Sequence, residues 1–191
     1  MIPVSKVING GQSMGHSTLT KIINFIWFQT IWFLAILFED AYLLIILALL
    51  ALHILFSKHK LEDTLLGLGI GIYGSLVDGV LLQSGLFAFS NQFAWFIPYW
   101  LVTLWIAFGM MLRTSLDYLQ GRYVLSAILG AISGPLSYIA GERLNAVTFP
   151  QSSLLTVTVL SVIWAMTVPL WLWINAKITL TFAPKEQDSQ G

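Results

Sequence analysis

Residues 64–83 read TLLGLGIGIYGSLVDGVLLQ, twenty residues whose one charge, Asp78, lies toward the C-terminal end. A helix of that length, rising about 1.5 Å per residue, matches the roughly 30 Å hydrocarbon core of a bilayer. At about 100° per residue, Gly67, Gly71, Gly74 and Asp78 fall on one narrow stripe. Small residues at this spacing let a second helix backbone approach closely. The stripe, and Asp78 with it, is therefore expected to face protein. A carboxylate at membrane depth costs about 2.5–3.5 kcal/mol on insertion scales unless it is paired, hydrated or protonated. Its position toward the outer end of the span relieves part of that cost.

The rest of the chain agrees with a membrane environment. Of its 191 residues, 57% are hydrophobic and 9% charged, far from the balance of a water-soluble domain. A soluble fold of about 150–200 residues still exposes roughly 30% of its unfolded-chain surface and could not hide this much apolar area. Six stretches qualify as spans: Lys21–Phe38, Ala41–Phe56, Thr64–Gln83, Trp95–Leu112, Tyr123–Ala140 and Leu154–Asn175. Glu39 and Asp40 mark the turn between the first two. Ser84–Ala94 contains Gly85, Ser90, Asn91 and Gln92 and is expected to be an interfacial loop. Residues 1–20 and 183–191 are polar and are expected to be cytoplasmic tails, and residues 1–20 lack the continuous apolar core of a cleavable signal peptide.

The fold class expected is thus an all-α polytopic bundle of about six transmembrane helices. With six spans, Lys6, Lys21, Lys58, Lys60, Arg113, Arg122, Lys177 and Lys185 share one side and only Arg143 lies on the other. Cytoplasmic loops carry the excess of Lys and Arg, so both termini are expected in the cytosol. Trp95, Tyr99 and Trp100 at the outer entry of the fourth span, and Trp171 and Trp173 at the inner exit of the sixth, are expected at the headgroup level. Pro135 and Pro169 are expected to kink spans five and six. Arg113–Arg122 is expected to extend span four as a short amphipathic piece.

Span five carries a second small-residue stripe, Gly130, Gly134, Ser137 and Gly141. Spans three and five run in the same direction. The two glycine faces are therefore expected at the bundle centre against each other, with positions 71 and 134 within cross-linking reach. Asn24 and Gln29 in span one differ by about 140° around the axis and serve different contacts.

Glu39, Asp40, Asp78 and Glu142 lie at or near the outer boundary, together with Arg143, the lone basic residue there. This polar cluster is the candidate site, with Arg143 expected to balance one of the carboxylates. The chain has no cysteine, which excludes thiolate metal sites and a Cys nucleophile. No His-Glu-x-x-His pattern is present, and neither a metal nor another cofactor is expected. His53 lies near the inner end of span two and Asp78 near the outer end of span three, roughly 15 Å or more apart along the membrane normal, too far for a catalytic pair. The glycine patterns lack a preceding strand, which argues against a dinucleotide loop, and no nucleic-acid partner is expected.

Asn24-Phe25, Phe28-Gln29 and Trp32-Phe33, with Gly134-Pro135-Leu136-Ser137-Tyr138 followed by Gly141, resemble an uncharacterised family of bacterial inner-membrane proteins, domain of unknown function 2878. The resemblance covers roughly residues 20–180. Leu144-Asn145-Ala146 departs from the Leu-Gly-Ala that such families carry after the last glycine. The resemblance implies a bacterial inner-membrane location and supplies no activity or catalytic residue.

Two functions follow as expectations. The first is a non-enzymatic, small permease-like or accessory membrane component, whose partners are the lipid bilayer and either a small solute or another membrane protein. The alternative is a membrane-embedded enzyme acting on lipid, with Asp78 or Glu142 as acid or base.

Overall fold

The computed structural model describes residues 17–89 and 96–182. Residues 1–16 and 183–191 of the expected tails, and Trp95, lie outside the described residues. Six α-helices follow one another: α1 (Thr18–Phe38), α2 (Leu43–Phe56), α3 (Lys60–Gln83), α4 (Tyr99–Ser115), α5 (Tyr123–Arg143) and α6 (Ser153–Phe182). Among the described residues there is no strand, only an isolated antiparallel bridge between Ala88 and Thr148.

A 3-10 turn at Glu39–Tyr42 joins α1 to α2, so the helical run is unbroken from Thr18 to Phe56. It is nonetheless a hairpin. In one straight helix Trp27 and His53 would be about 39 Å apart; their rings lie 4.4 Å apart, and Trp27 Nε1 donates to the Leu49 carbonyl at 3.2 Å. The reversal centres on Glu39, whose φ of +50° is in the left-handed region that a non-glycine residue rarely adopts. Counting Thr18–Phe56 as one run, four helical runs among the described residues are long and apolar enough to cross a membrane, the others being α3, α5 and α6.

The remaining helix, α4, has 17 residues and spans only about 25 Å. Thirteen of those residues are buried, which makes α4 the centre of the bundle. A helix apolar on every side belongs in an interior, and α1, α2, α3 and α6 pack around this one. The helices pair as antiparallel hairpins, α1–α2, α3–α4 and α5–α6.

The two glycine stripes do not meet. On α3, Gly67 lies against Met110, Gly71 against Ile106 and Gly74 against the Trp105 ring, all on α4. Gly109 of α4 faces the Gly67 backbone so closely that a Cβ on it would fall 2.8 Å from Gly67 Cα. On α5, Gly130 and Gly134 receive Val168 and Trp164 of α6. The expected apposition of spans three and five is therefore corrected: Gly67, Gly71 and Gly74 take up side chains of α4, and Gly130 and Gly134 those of α6. The physical reason is volume. The glycines leave clefts deep enough for indoles, and α4 and α6 each supply one.

The tryptophans divide between the bundle interior and its surface. Trp100 is 2% exposed, and Trp171 is buried against Gly69 and Tyr73. On α6, Trp164, Val168 and Trp171 follow i, i+4, i+7 and share the inward face, while Trp173, about 200° on from Trp171, is exposed beneath the Lys177 ammonium. The described part of Ser84–Ala94 is a non-helical connection, as expected, and it is tied to the bundle: Phe87 and Phe89 are buried and Phe87 stacks on Tyr138. Pro135 and Pro169 lie inside α5 and α6 without ending either helix. The Arg113–Arg122 segment completes α4 and then forms a 3-10 turn at Asp117–Leu119.

The glycine clefts give a direct test. A Cβ at position 71 would lie 3.8 Å from the Ile106 Cβ, the usual spacing across a disulfide, about 3.8 Å. In the cysteine-free background, Gly71→Cys with Ile106→Cys is expected to cross-link readily under oxidation, and Gly71→Cys with Gly134→Cys is not. Gel mobility after oxidation reads both, and the reverse result would refute this packing.

Candidate functional site

Asp78 has no exposed surface. It sits four residues beyond Gly74 on the α3 stripe, so the chain that places the glycine against Trp105 also places the carboxylate beside it. With its ring in the Gly74 cleft, Trp105 donates Nε1–H to Asp78 Oδ2 at 2.7 Å. From α5, the Tyr138 hydroxyl donates to both oxygens, at 2.8 and 2.9 Å. Both donors are neutral. Among the described residues no Lys, Arg or His comes within ion-pair distance of Asp78.

The other candidates do not join it. Asp40 caps α4: its Oδ1 accepts the Trp100 backbone N–H at 2.9 Å, at an N-terminus that has no cap from its own segment. Glu39 forms the strained reversal. Glu142 is half-buried and Arg143 exposed, and among the described residues no ion pair joins Arg143 to Asp78, Asp40 or Glu142. The expected ion pair of Arg143 with Asp78, Asp40 or Glu142 is thus not formed among the described residues, and Arg143 is exposed at the last turn of α5.

Trp105 and Tyr138 have a second role, as walls of a cavity of about 60 Å³. Phe28 and Trp32 of α1, Trp100 and Phe108 of α4, Ser137 of α5 and Trp164 of α6 complete most of the lining. Trp105 and Trp164 stack face to face, with centroids 5.0 Å apart and planes inclined by 11°. Trp32 Nε1 donates to Ser137 Oγ at 2.9 Å, while Trp100 Nε1 and Trp164 Nε1 are buried and have no hydrogen-bond partner among the described residues. Asp78 is not in the lining itself but is hydrogen-bonded to two residues that are, Trp105 and Tyr138. Ser137 and Gly141, the upper half of the α5 stripe, line the cavity.

A second polar cluster at the opposite end of α3 escapes a motif search. Arg113 is 8% exposed and lies 3.5 Å from Asp63 and 3.7 Å from Glu62. His53 Nε2 is 3.6 Å from Asp63, and Ser57 donates to Asp63 at 2.5 Å. A buried guanidinium between carboxylates is a stable arrangement only when both partners are present. The available signal was Glu62-Asp63 opening one apolar helix and Arg113 closing the next. Close by, Ser115 Oγ donates to Asn24 Oδ1 at 2.7 Å, and Lys21 pairs with Asp117 at 2.6 Å.

A family model described as "Protein of unknown function (DUF2878)" matches residues 21–170. No curated protein and no solved structure matches the chain.

Removing either donor leaves a buried acceptor short of a partner, at a cost of about 1–3 kcal/mol. Trp105→Phe and Tyr138→Phe are each expected to lower stability by that amount in mixed-micelle unfolding, and more than Tyr118→Phe on the exposed surface. Equal midpoints for all three would show that the Asp78 bonds contribute nothing.

Proposed function

We propose, for a chain that belongs to the DUF2878 family of proteins of unknown function, that it is a six-span component of a bacterial inner membrane that binds a small solute beside Asp78. The observation carrying this reading is the double role of Trp105 and Tyr138. They hold a wholly buried carboxylate and at the same time line a cavity. A few polar groups beside an apolar, concave space is the usual form of a small-molecule site, and at about 60 Å³, against the usual ~300 Å³ or more, this one admits only a very small solute. An ionisable residue inside a membrane bundle is by default a functional feature.

Six crossings are supported by the three antiparallel hairpins and by the burial of α4, which spares that short helix from meeting lipid. With six crossings, Lys21, Lys58, Lys60, Arg113, Arg122 and Lys177 share the end opposite Arg143, and the Lys/Arg bias puts both termini in the cytosol. Asp78 then lies toward the periplasmic side. We place the protein with small permease-like or accessory components rather than lipid enzymes. The carboxylate sits behind the cavity wall instead of facing a substrate, and His53 and His59 belong to the opposite end of α3.

Two measurements check this. Reporter fusions at Gly191 are expected to be active as cytoplasmic and silent as periplasmic reporters; periplasmic activity would overturn the topology. In the source bacterium, deletion and Asp78→Asn strains are expected to share one change in small-metabolite pools. An Asp78→Asn strain indistinguishable from wild type beside an altered deletion strain would remove Asp78 from the function. A change confined to lipid species would favour the enzyme instead.

A further inference from the structure

The two amides of α1 have different surroundings. Asn24 is buried, and its Oδ1 accepts from Ser115 Oγ of α4. Gln29, about 140° further round the axis, is half-buried and has no hydrogen-bond partner among the described residues. Its neighbours are all satisfied: Trp27 donates to the Leu49 carbonyl, Thr30 to the Ile26 carbonyl and Trp32 to Ser137. Gln29 lies about 16 Å along the 21-residue α1, near its middle and hence near the middle of a bilayer that α1 crosses. Hydrocarbon offers an amide neither donor nor acceptor, so an amide left unpaired there is costly.

The face around Gln29 has the spacing of a seam between helices. Leu19, Ile22, Ile26, Gln29 and Phe33 follow steps of three, four, three and four, the a and d positions of a heptad. The four apolar members are 49–67% exposed, so the bundle leaves this seam uncovered. A polar residue in the middle of such a seam fixes register and the number of partners. A carboxamide is also self-complementary, because its N–H donates and its C=O accepts. Copies in one membrane share an orientation, and a two-fold axis along the membrane normal sets each seam residue opposite itself.

We propose that this face of α1 is the interface of a parallel homodimer, in which the Gln29 carboxamides of the two copies hydrogen-bond to each other. An acyl chain would cover the isoleucines but leave the amide unpaired. The inference requires α1 to cross the membrane and is independent of the cavity.

Single cysteines in native membranes test the seam. In this cysteine-free chain, Ile26→Cys is expected to cross-link to its counterpart on oxidation. Ile72→Cys on α3 and Val162→Cys on α6, comparably exposed, are not. Equal yields at the three positions would mark random collision and overturn the interface. A cross-link from Ile26→Cys to a different protein would overturn the second copy as the occupant. Sedimentation of the full chain in mild detergent tests the amide pair. Gln29→Leu is expected to raise the dimer dissociation constant at least about tenfold, through loss of interhelical hydrogen bonds. Gln29→Asn keeps a carboxamide and is expected to lose less. A Gln29→Leu dimer as tight as wild type would overturn the pairing, and so would a lowered thermal midpoint of the monomer, which would place the amide in the fold itself. A chain that stays monomeric at every concentration and never self-cross-links would overturn the dimer and leave the solute site untouched.

Discussion

Two missing side chains organise this bundle. Gly74 on α3 and Gly134 on α5 each leave a cleft, Trp105 and Trp164 fill them, and the two indoles stack at 5.0 Å. The order across the core is glycine, indole, indole, glycine. In lipid no hydrophobic drive holds helices together, and close packing has to supply the attraction instead. The stack therefore ties the α3–α4 hairpin to the α5–α6 hairpin, beside the Tyr73–Thr167 hydrogen bond. A Cβ at either glycine would overlap an indole, so the arrangement depends on the smallest side chain at both positions.

The same stack builds the polar site. With its ring seated in the Gly74 cleft, Trp105 has only one direction for its N–H, toward Asp78 about one turn along. Tyr138, one turn beyond Gly134, approaches from the other hairpin, and Phe87 stacks on its ring at 5.1 Å. Three separate segments thus fix the geometry of one carboxylate. The cavity is what remains where these large rings meet α1. Its aromatic character follows from the packing solution and needs no further cause.

Much of this was legible in the residues. Spacing of apolar runs located all six helices, and the glycine period assigned Asp78 to a protein-facing stripe. What could not be read was the identity of the opposing helix. A glycine stripe declares that something comes close without naming it, and the choice of α4 and α6 lies in the position of Trp105 and Trp164 along those helices. The outer polar cluster dispersed for a similar reason: sequence distance from a span's end gives depth but no azimuth, so Asp40 turned to α4 and Arg143 outward. Trp100 and Trp171 were read for depth alone, which left open that both rings turn into the bundle, Trp171 against Gly69. Arg113 was legible as a charge and illegible as a buried partner of Asp63, because α3 and α4 had first to be known as neighbours.

Asp40 has one more consequence. The N-terminus of α4 receives its side-chain acceptor from a residue sixty positions earlier, at the tip of the first hairpin. A chain emerging from the ribosome makes that tip long before it makes the segment it serves. The opening turn of the central helix is thus capped only when the first hairpin stands beside it, so a change that tilts that hairpin reaches the core through a single hydrogen bond.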